Sequence, residues 1–152
     1  MVMRYYSYEE FIRDLKTLTK KIDFKFDAIV AISRGGLTIA HFLGEYYNIR
    51  SVYAISAIGY EDQKKLPCVT IGNIPDLSCH ERILIVDEIV DSGETLERVI
   101  AQVKEKFPHL TCKSAVLFYK SSAKFQPDFF VQYADEWIDF FWTRDLHDTY
   151  DR

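Results

Sequence analysis

Two adjacent carboxylates, Asp87 and Glu88, directly follow the apolar run 83–86, which is typical of a strand buried on both faces. Carboxylates at the end of such a strand suit sugar hydroxyls or a hard cation such as Mg²⁺. A loop of small and hydroxylated residues follows, with Ser92, Gly93 and Thr95. This loop leads into a helical pattern, and the free N–H groups of a helix N-terminus favour a phosphate. The stretch could therefore bind a ribose and its 5′-phosphate, although an acidic turn that only caps a helix has a similar composition.

A second turn with phosphate-binding residues follows the apolar run 28–32. It consists of Ser33, Arg34, Gly35 and Gly36. The two glycines leave backbone N–H groups accessible to a ligand, and the arginine offers a planar fork of donors. These residue types suit a diphosphate, and a plain strand-to-helix turn is the alternative interpretation.

Better-known phosphate and metal motifs are absent from the sequence. There is no G-x-x-x-x-G-K-[ST] P-loop and no G-x-G-x-x-G dinucleotide fingerprint. An EF-hand loop that began at Asp87 would need an oxygen ligand where Ile89 stands. The sequence therefore argues against a P-loop nucleotidase, a Rossmann dehydrogenase and a calcium-binding loop.

The elements that must position these sites alternate between strands and helices. Helical patterns cover 8–22, 37–47 and 96–107, the first with a capping-box spacing of Ser7 and Glu10. Strand patterns cover 28–32, 51–58, 83–86 and 114–119, with shorter ones at 69–71 and 129–133, and residues 138–142 end the part predicted to be ordered. The polar residues 59–67 are predicted to leave the core. This alternation predicts an α/β fold with a mainly parallel, twisted sheet flanked by helices, and ligands at the carboxyl ends of its strands.

Composition limits the class of protein. The 152 residues suit one domain, and a net charge of −4 is a poor match to phosphate-neutralising nucleic-acid binders. Three cysteines without zinc spacing indicate neither a disulfide framework nor a metal finger. No signal-peptide pattern and no apolar run of about 18 residues occurs. We therefore expect a cytoplasmic, single-domain protein without a membrane span and without a nucleic-acid partner.

The acidic stretch 83–95 resembles the 13-residue phosphoribosyl-pyrophosphate signature of the type I phosphoribosyltransferases. That signature has hydrophobic residues, two acids, two hydrophobic residues, Asp, Thr or Ser, Gly, any residue and Thr. Glu88 departs from several purine-salvage members, which have Asp there. The turn that contains Arg34 and Gly35 is similar to the pyrophosphate-binding loop of bacterial xanthine-guanine phosphoribosyltransferases. Together the similarities span about residues 28–142.

This resemblance implies a glycosyltransferase of the pentosyltransferase class that acts in purine salvage. Such an enzyme transfers the 5-phosphoribosyl group from phosphoribosyl pyrophosphate to guanine, xanthine or hypoxanthine. The products are diphosphate and GMP, XMP or IMP, and the reaction uses Mg²⁺. The resemblance also implies a homodimer or a homotetramer.

The resemblance assigns roles to particular residues. Those expected to bind phosphoribosyl pyrophosphate and the 5′-phosphate are Arg34, Gly35, Lys64, Asp87, Glu88, Asp91, Ser92, Gly93, Glu94 and Thr95. Asp87 and Glu88 would face ribose hydroxyls and the metal. Those expected to bind the purine are Asp91, Lys120, Trp137 and Ile138. Asp91 is the predicted catalytic residue, at the N7 proton, and Lys120 would polarise the 6-oxo group. Trp137 would stack on the base, beside Ile138.

The resemblance divides residues 1–152 into a core at about 28–120 and a hood from the N-terminal region and about 121–142. Two alternatives stay open on the same fold. One is a catalytically inactive regulator that binds phosphoribosyl pyrophosphate or a nucleotide, although such regulators usually carry a DNA-binding domain or a basic face. The other is a phosphoribosyltransferase for a different base, against which the Trp137 segment argues.

Overall fold

The computed structural model describes residues 3–61 and 64–147. Its helices are α1 (Tyr8–Lys21), α2 (Gly35–Tyr47), α3 (Glu94–Lys106) and α4 (Phe141–Arg144). Its strands are β1 (Met3–Tyr6), β2 (Ala28–Ser33), β3 (Val52–Glu61), β4 (Lys64–Gly72), β5 (Arg82–Val90), β6 (Thr111–Tyr119), β7 (Gln132–Tyr133) and β8 (Trp137–Phe140). Helix α1 begins where the capping-box spacing predicts, because the Ser7 hydroxyl accepts a hydrogen bond from the Glu10 N–H at 3.1 Å.

A six-stranded sheet in the order β4-β3-β2-β5-β6-β7 forms the centre of the fold. Its pairs are parallel except for β3 with β4, which is antiparallel. Side chains alternate between its faces, so that Ile29 and Leu84 pack with α1 and α2, whereas Val30 and Ile85 pack with α3. Burial on both faces explains the continuous apolar runs. The predicted fold class, a mainly parallel sheet flanked by helices, is confirmed.

A second, two-stranded sheet pairs β1 with β8 in parallel. Tyr6 anchors it, because its ring contacts Phe118 and Phe140 edge-on and its hydroxyl donates a 2.6 Å hydrogen bond to Asp14. Burial and this hydrogen bond raise the pKa of the Tyr6 hydroxyl. Four residues are too few for a sequence periodicity, so β1 was not among the predicted strands.

Two sequence-based boundaries were wrong. Strand β5 does not end at Val86, because its pairing with β6 continues to Val90 and places Asp87 and Glu88 inside the strand. Residues 59–67 are not a simple excursion, because β3 and β4 continue as an antiparallel hairpin on either side of residues 62 and 63, which lie outside the described ranges. In both cases backbone pairing with a neighbouring strand outweighs the polar side chains.

The described helices are short. The longest of them, α1, has 14 residues, and none has the length and apolarity that a membrane-spanning helix needs.

Candidate active site

A cleft lies along the carboxyl edge of the large sheet, which is where open parallel sheets bind ligands. Its walls come from the β2–α2 turn, the end of β3, the end of β5 with the loop before α3, and the segment 134–147. Most of the predicted site residues line it: Arg34, Gly35, Asp87, Glu88, Asp91, Ser92, Gly93, Thr95, Lys120, Trp137 and Ile138. The structure thus brings together residues that are up to about a hundred positions apart in the chain.

The loop before α3 is held open towards the cleft by backbone contacts. Gly93 has φ 91°, a conformation that favours glycine, and a Cβ there would lie 2.8 Å from the Phe125 backbone nitrogen. The Ser92 carbonyl accepts a 2.9 Å hydrogen bond from the Lys124 N–H, and the Ser92 hydroxyl accepts one from the Glu94 N–H at 3.2 Å. The loop therefore stands at the start of α3, where an anion is favoured.

Two glycines let the start of α2 approach the end of β5. A Cβ on Gly35 would overlap the Glu88 carboxylate, and a Cβ on Gly36 would overlap the carbonyl oxygen of Val86. Arg34 is exposed at this turn, and the peptide bond that joins it to Ser33 is cis. Glycine is thus required here for close packing around an acidic side chain, a constraint that the sequence motif alone did not explain.

Negative charge is concentrated at Asp87 and Glu88. Burial and the adjacent Glu88 carboxylate raise the pKa of Asp87 well above its usual range, although Asp87 also accepts the Glu88 N–H at 2.9 Å. The Glu88 Oε2 atom is buried and has no hydrogen-bond partner among the described residues. This part of the cleft therefore favours a proton, a cation or hydroxyl donors.

The raised pKa predicts a stability change. The folded protein keeps a proton on Asp87 at pH values where the unfolded chain has lost it, so this carboxyl lowers the free energy of unfolding as pH rises above about 4. We expect Asp87→Asn to raise the free energy of unfolding at neutral pH, and the gain to disappear towards pH 4. Denaturant unfolding at several pH values, with a chelator present, measures the difference between variant and wild type.

Asp76 provides the control for this experiment. Hydrogen bonds from Ser78 lower its pKa, so Asp76→Asn should change stability in the opposite direction at neutral pH. A loss of stability in Asp87→Asn at neutral pH would contradict the conclusion that the charged Asp87 carboxylate destabilises the folded protein.

One end of the cleft, called the base end because its residues are predicted to contact the purine, contains an ion pair between Asp91 and Lys120. Lys120 Nζ lies 3.1 Å from Asp91 Oδ1. The Lys120 backbone N–H donates a 2.9 Å hydrogen bond to the Val90 carbonyl, which fixes its position just after β6. The edge of a flat ring that faces this pair would meet a donor and an acceptor next to each other.

Aromatic rings form the wall opposite this ion pair. Trp142 stacks on Phe140 with centroids 4.5 Å apart and also contacts Phe11 and Phe141. Trp137 lines the cleft, and it takes part in none of the aromatic ring contacts found within residues 3–61 and 64–147. Ile138, on the other face of β8, is buried in the core. Trp137 is therefore the tryptophan whose ring is open to a ligand.

Two predicted residues are not brought into the cleft. Lys64 is exposed on β4, where its backbone pairs with that of Glu61. The Glu94 carboxylate lies 4.0 Å from the Arg98 guanidinium on the next turn of α3, and the Glu94 backbone N–H donates to the Ser92 hydroxyl. Their predicted roles stay predictions, because no ligand contact was tested.

Sequence reasoning also missed residues that line or shape the cleft. Asp139, Phe140, Trp142 and Thr143 come from β8 and α4, and Phe125 packs on the phosphate loop. Period-2 alternation from Trp137 could have indicated Asp139. No local signal indicates Phe125, because its contact with Gly93 depends on tertiary packing.

The chain is similar to known proteins over nearly its whole length. The profile of the phosphoribosyl transferase domain matches residues 2–148. Xanthine-guanine phosphoribosyltransferase of Cereibacter sphaeroides is 31% identical over 146 residues, which covers 90% of this chain and 84% of that protein. Among solved structures, xanthine-guanine-hypoxanthine phosphoribosyltransferase of Helicobacter pylori has a TM-score of 0.86 and 42% identity, and the match covers 95% of this chain and 96% of that one. Purine phosphoribosyltransferase of Pyrococcus horikoshii has a TM-score of 0.81 and 29% identity over the full length of both chains.

Proposed function

The chain belongs to the phosphoribosyl transferase domain family, and on that premise we propose that it is a purine-salvage enzyme acting on phosphoribosyl pyrophosphate and a 6-oxopurine. The observation that carries this proposal is the placement of the Asp91–Lys120 pair and the open Trp137 ring at the end of a phosphate-binding cleft. The products would be a nucleoside monophosphate and diphosphate. This enzyme class is the one that the sequence predicted, and the similarity to named purine phosphoribosyltransferases confirms it.

Positioning carries most of the proposed mechanism. The N-terminus of α3, with Ser92 and Thr95, would hold the 5′-phosphate, and Arg34 with the Gly35 backbone would hold the diphosphate. The ribose then lies above β5, and its C1 faces the base end of the cleft. Bond breaking leaves an oxocarbenium-like sugar and a diphosphate, so the site must align the purine nitrogen with C1 and stabilise the leaving group.

The residues present fit a magnesium ion. Asp87 and Glu88 would hold it or its water ligands, because the raised pKa of Asp87 and the unpartnered Glu88 oxygen both mark charge that a cation neutralises. The described part of the chain contains no group of three or more metal-binding side chains, so water and the diphosphate would complete the coordination. When bound, the ion supplies charge stabilisation to the leaving diphosphate.

At the base end, Lys120 would donate to the 6-oxo oxygen and Asp91 would accept the N7 proton as N9 bonds to C1. Both residues follow the ends of the adjacent parallel strands β5 and β6. Their charged groups are 3.1 Å apart, a separation that suits two neighbouring polar atoms on one edge of a purine. Trp137 would provide the stacking surface, and Ile138 would fix the backbone at the edge of the ring.

Removing the stacking ring gives a specific prediction. We expect Trp137→Ala to weaken purine binding by about 1–3 kcal/mol, the usual contribution of base–aromatic stacking, and to leave binding of phosphoribosyl pyrophosphate nearly unchanged. The Michaelis constants of the two substrates measure this separation. Trp142→Phe is the control, because Trp142 is already packed on Phe11 and Phe140. Equal weakening of both substrates by Trp137→Ala would contradict the stacking role.

The function itself is tested by diphosphate release from phosphoribosyl pyrophosphate with a panel of bases. Turnover with guanine, xanthine or hypoxanthine and none with adenine, orotate or uracil is expected. A protein that binds nucleotide but makes none from any base would support the inactive regulator. Best turnover with a pyrimidine would show that the base end is assigned to the wrong ligand.

We further propose that the enzyme works in the cytoplasm as a homodimer or a homotetramer, as its family resemblance implies. Light scattering coupled to gel filtration measures the oligomeric state, and a monomer at all concentrations would contradict it.

A further inference from the structure

Asp139 is a buried carboxylate in the wall of the cleft. It lies two residues after Trp137 in β8, so both side chains project from the same face of that strand. Its side chain is 1% exposed, yet only Oδ2 is paired, with a 2.9 Å hydrogen bond from the Arg144 guanidinium. Oδ1 is buried and has no hydrogen-bond partner among the described residues.

Contacts around Arg144 fix the orientation of this carboxylate. The guanidinium lies over the Tyr5 ring, 5.3 Å from its centroid, while the Tyr5 hydroxyl donates to Asp145 at 2.9 Å. Residues of β1, β8 and α4 thus hold Oδ2 in the ion pair, and Oδ1 is the atom left without a donor. Buried acceptors are seldom left unpaired, because the loss of water is then not compensated.

The bases that this cleft is proposed to bind share the 6-oxopurine ring and differ in the group on C2, and xanthine also carries a proton on N3. Guanine carries an amino group on C2, which is a donor; xanthine carries an oxo group, which is an acceptor; and hypoxanthine carries hydrogen. A base stacked on Trp137 presents its edge to the neighbouring side chains of the wall. An unpaired carboxylate oxygen beside that edge attracts an amino group and repels an oxo group.

We propose that Asp139 determines the base preference by accepting a hydrogen bond from the 2-amino group of guanine through Oδ1. This inference rests on the proposed function. It makes guanine the preferred base, hypoxanthine weaker and xanthine the weakest, because xanthine brings an oxygen against a carboxylate. Wild-type kcat/KM for guanine should exceed that for xanthine by about 100-fold or more, since a site built to bond a substrate N–H strongly rejects an analogue without it.

Asp139→Asn tests the proposal because it replaces the hydrogen-bond acceptor at the position of Oδ1 by a donor. Arg144 can only donate, so it keeps the amide oxygen at the position of Oδ2 and leaves the amide N–H₂ at the position of Oδ1. That group donates to the 2-oxo group of xanthine and opposes the 2-amino group of guanine. We expect the guanine-to-xanthine ratio of kcat/KM to fall by about 100-fold or to invert.

Two control variants separate base recognition from support of α4. Glu105→Gln removes an exposed carboxylate on α3, away from the wall formed by β8, and should leave the base ratios unchanged. Arg144→Lys keeps a donor for Oδ2 and should keep guanine preferred. Equal losses for guanine, xanthine and hypoxanthine in Asp139→Asn would mean that Asp139 acts only by holding Arg144, and would overturn the proposal.

The wild type alone provides a second test, which does not depend on the folding of any variant. A wild-type preference for xanthine over guanine overturns the assignment of Asp139. Wild-type protein that turns over none of the three bases overturns the proposed function instead. Competitive inhibition by GMP and XMP, measured against phosphoribosyl pyrophosphate, should show the same order as the bases in wild type and the opposite order in Asp139→Asn.

Discussion

Replacing Asp91 by asparagine is expected to lower turnover by about 10²–10⁴-fold, the usual contribution of a general base. The Asp91 carboxylate lies in the loop before α3 and pairs with Lys120. A carboxylate next to the 5′-phosphate would repel it, so this acid has its role at the base. Asparagine keeps the size of the side chain but cannot take the N7 proton.

Steady-state kinetics with the preferred base measure the loss, and equilibrium binding of the nucleotide product provides the second measurement. Product binding should persist, because Ser92, Gly93, Thr95 and the start of α3 are unchanged. Glu97→Gln is the matched control, since it removes an exposed acid from the first turn of the same helix. Near-normal turnover of Asp91→Asn would remove Asp91 from the chemistry.

Removal of divalent cations is expected to abolish turnover. Metal-ion stabilisation of charge at the leaving group is typically worth several kcal/mol, which corresponds to a loss of at least about 10²–10³-fold. Activity should fall to that extent with excess chelator and return when Mg²⁺ is added. Glu88→Gln should need more Mg²⁺ for half-maximal activity than wild type, because it lacks the buried carboxylate oxygen that has no hydrogen-bond partner among the described residues.

Binding of the nucleoside monophosphate product separates a metal effect from unfolding. That product has no diphosphate, so its affinity should change little with chelator. Full turnover in excess chelator would contradict the role assigned to Asp87 and Glu88, and simultaneous loss of product binding would indicate that the cation supports the fold.

Local residue patterns indicated the phosphate-binding half of the site, whereas only the family resemblance indicated the base-binding half. The strand, acidic pair and glycine loop of β5 and α3 are consecutive in the chain, so local patterns identify them. The base-binding wall depends on contacts between distant residues, such as the pairing of Met3 with Trp137 and the ion pair that orients Asp139. Periodicity and motif spacing contain no information about these partners.

The ends of the strands show the same difference between local patterns and contacts with distant residues. Apolar runs located β2 and β5, but backbone pairing decided that β5 continues through Asp87 and Glu88. Likewise, the hairpin of β3 and β4 forms from polar residues because each strand offers the other hydrogen bonds. Neither the exposure of Lys64 nor its distance from the cleft could be predicted from the residue types alone.

The pairing of β1 with β8 has a consequence for synthesis on the ribosome. Strand β1 leaves the exit tunnel before the other described strands, but its partner β8 is translated after them. The central strands β2, β3 and β5 can assemble while translation continues, whereas the wall that carries Trp137 and Asp139 has to wait for nearly the whole chain. A nascent chain that has emerged only as far as Phe125 should therefore present a formed loop before α3 with no surface for the base, and Tyr6 would remain without its ring contact to Phe140 until β8 emerges.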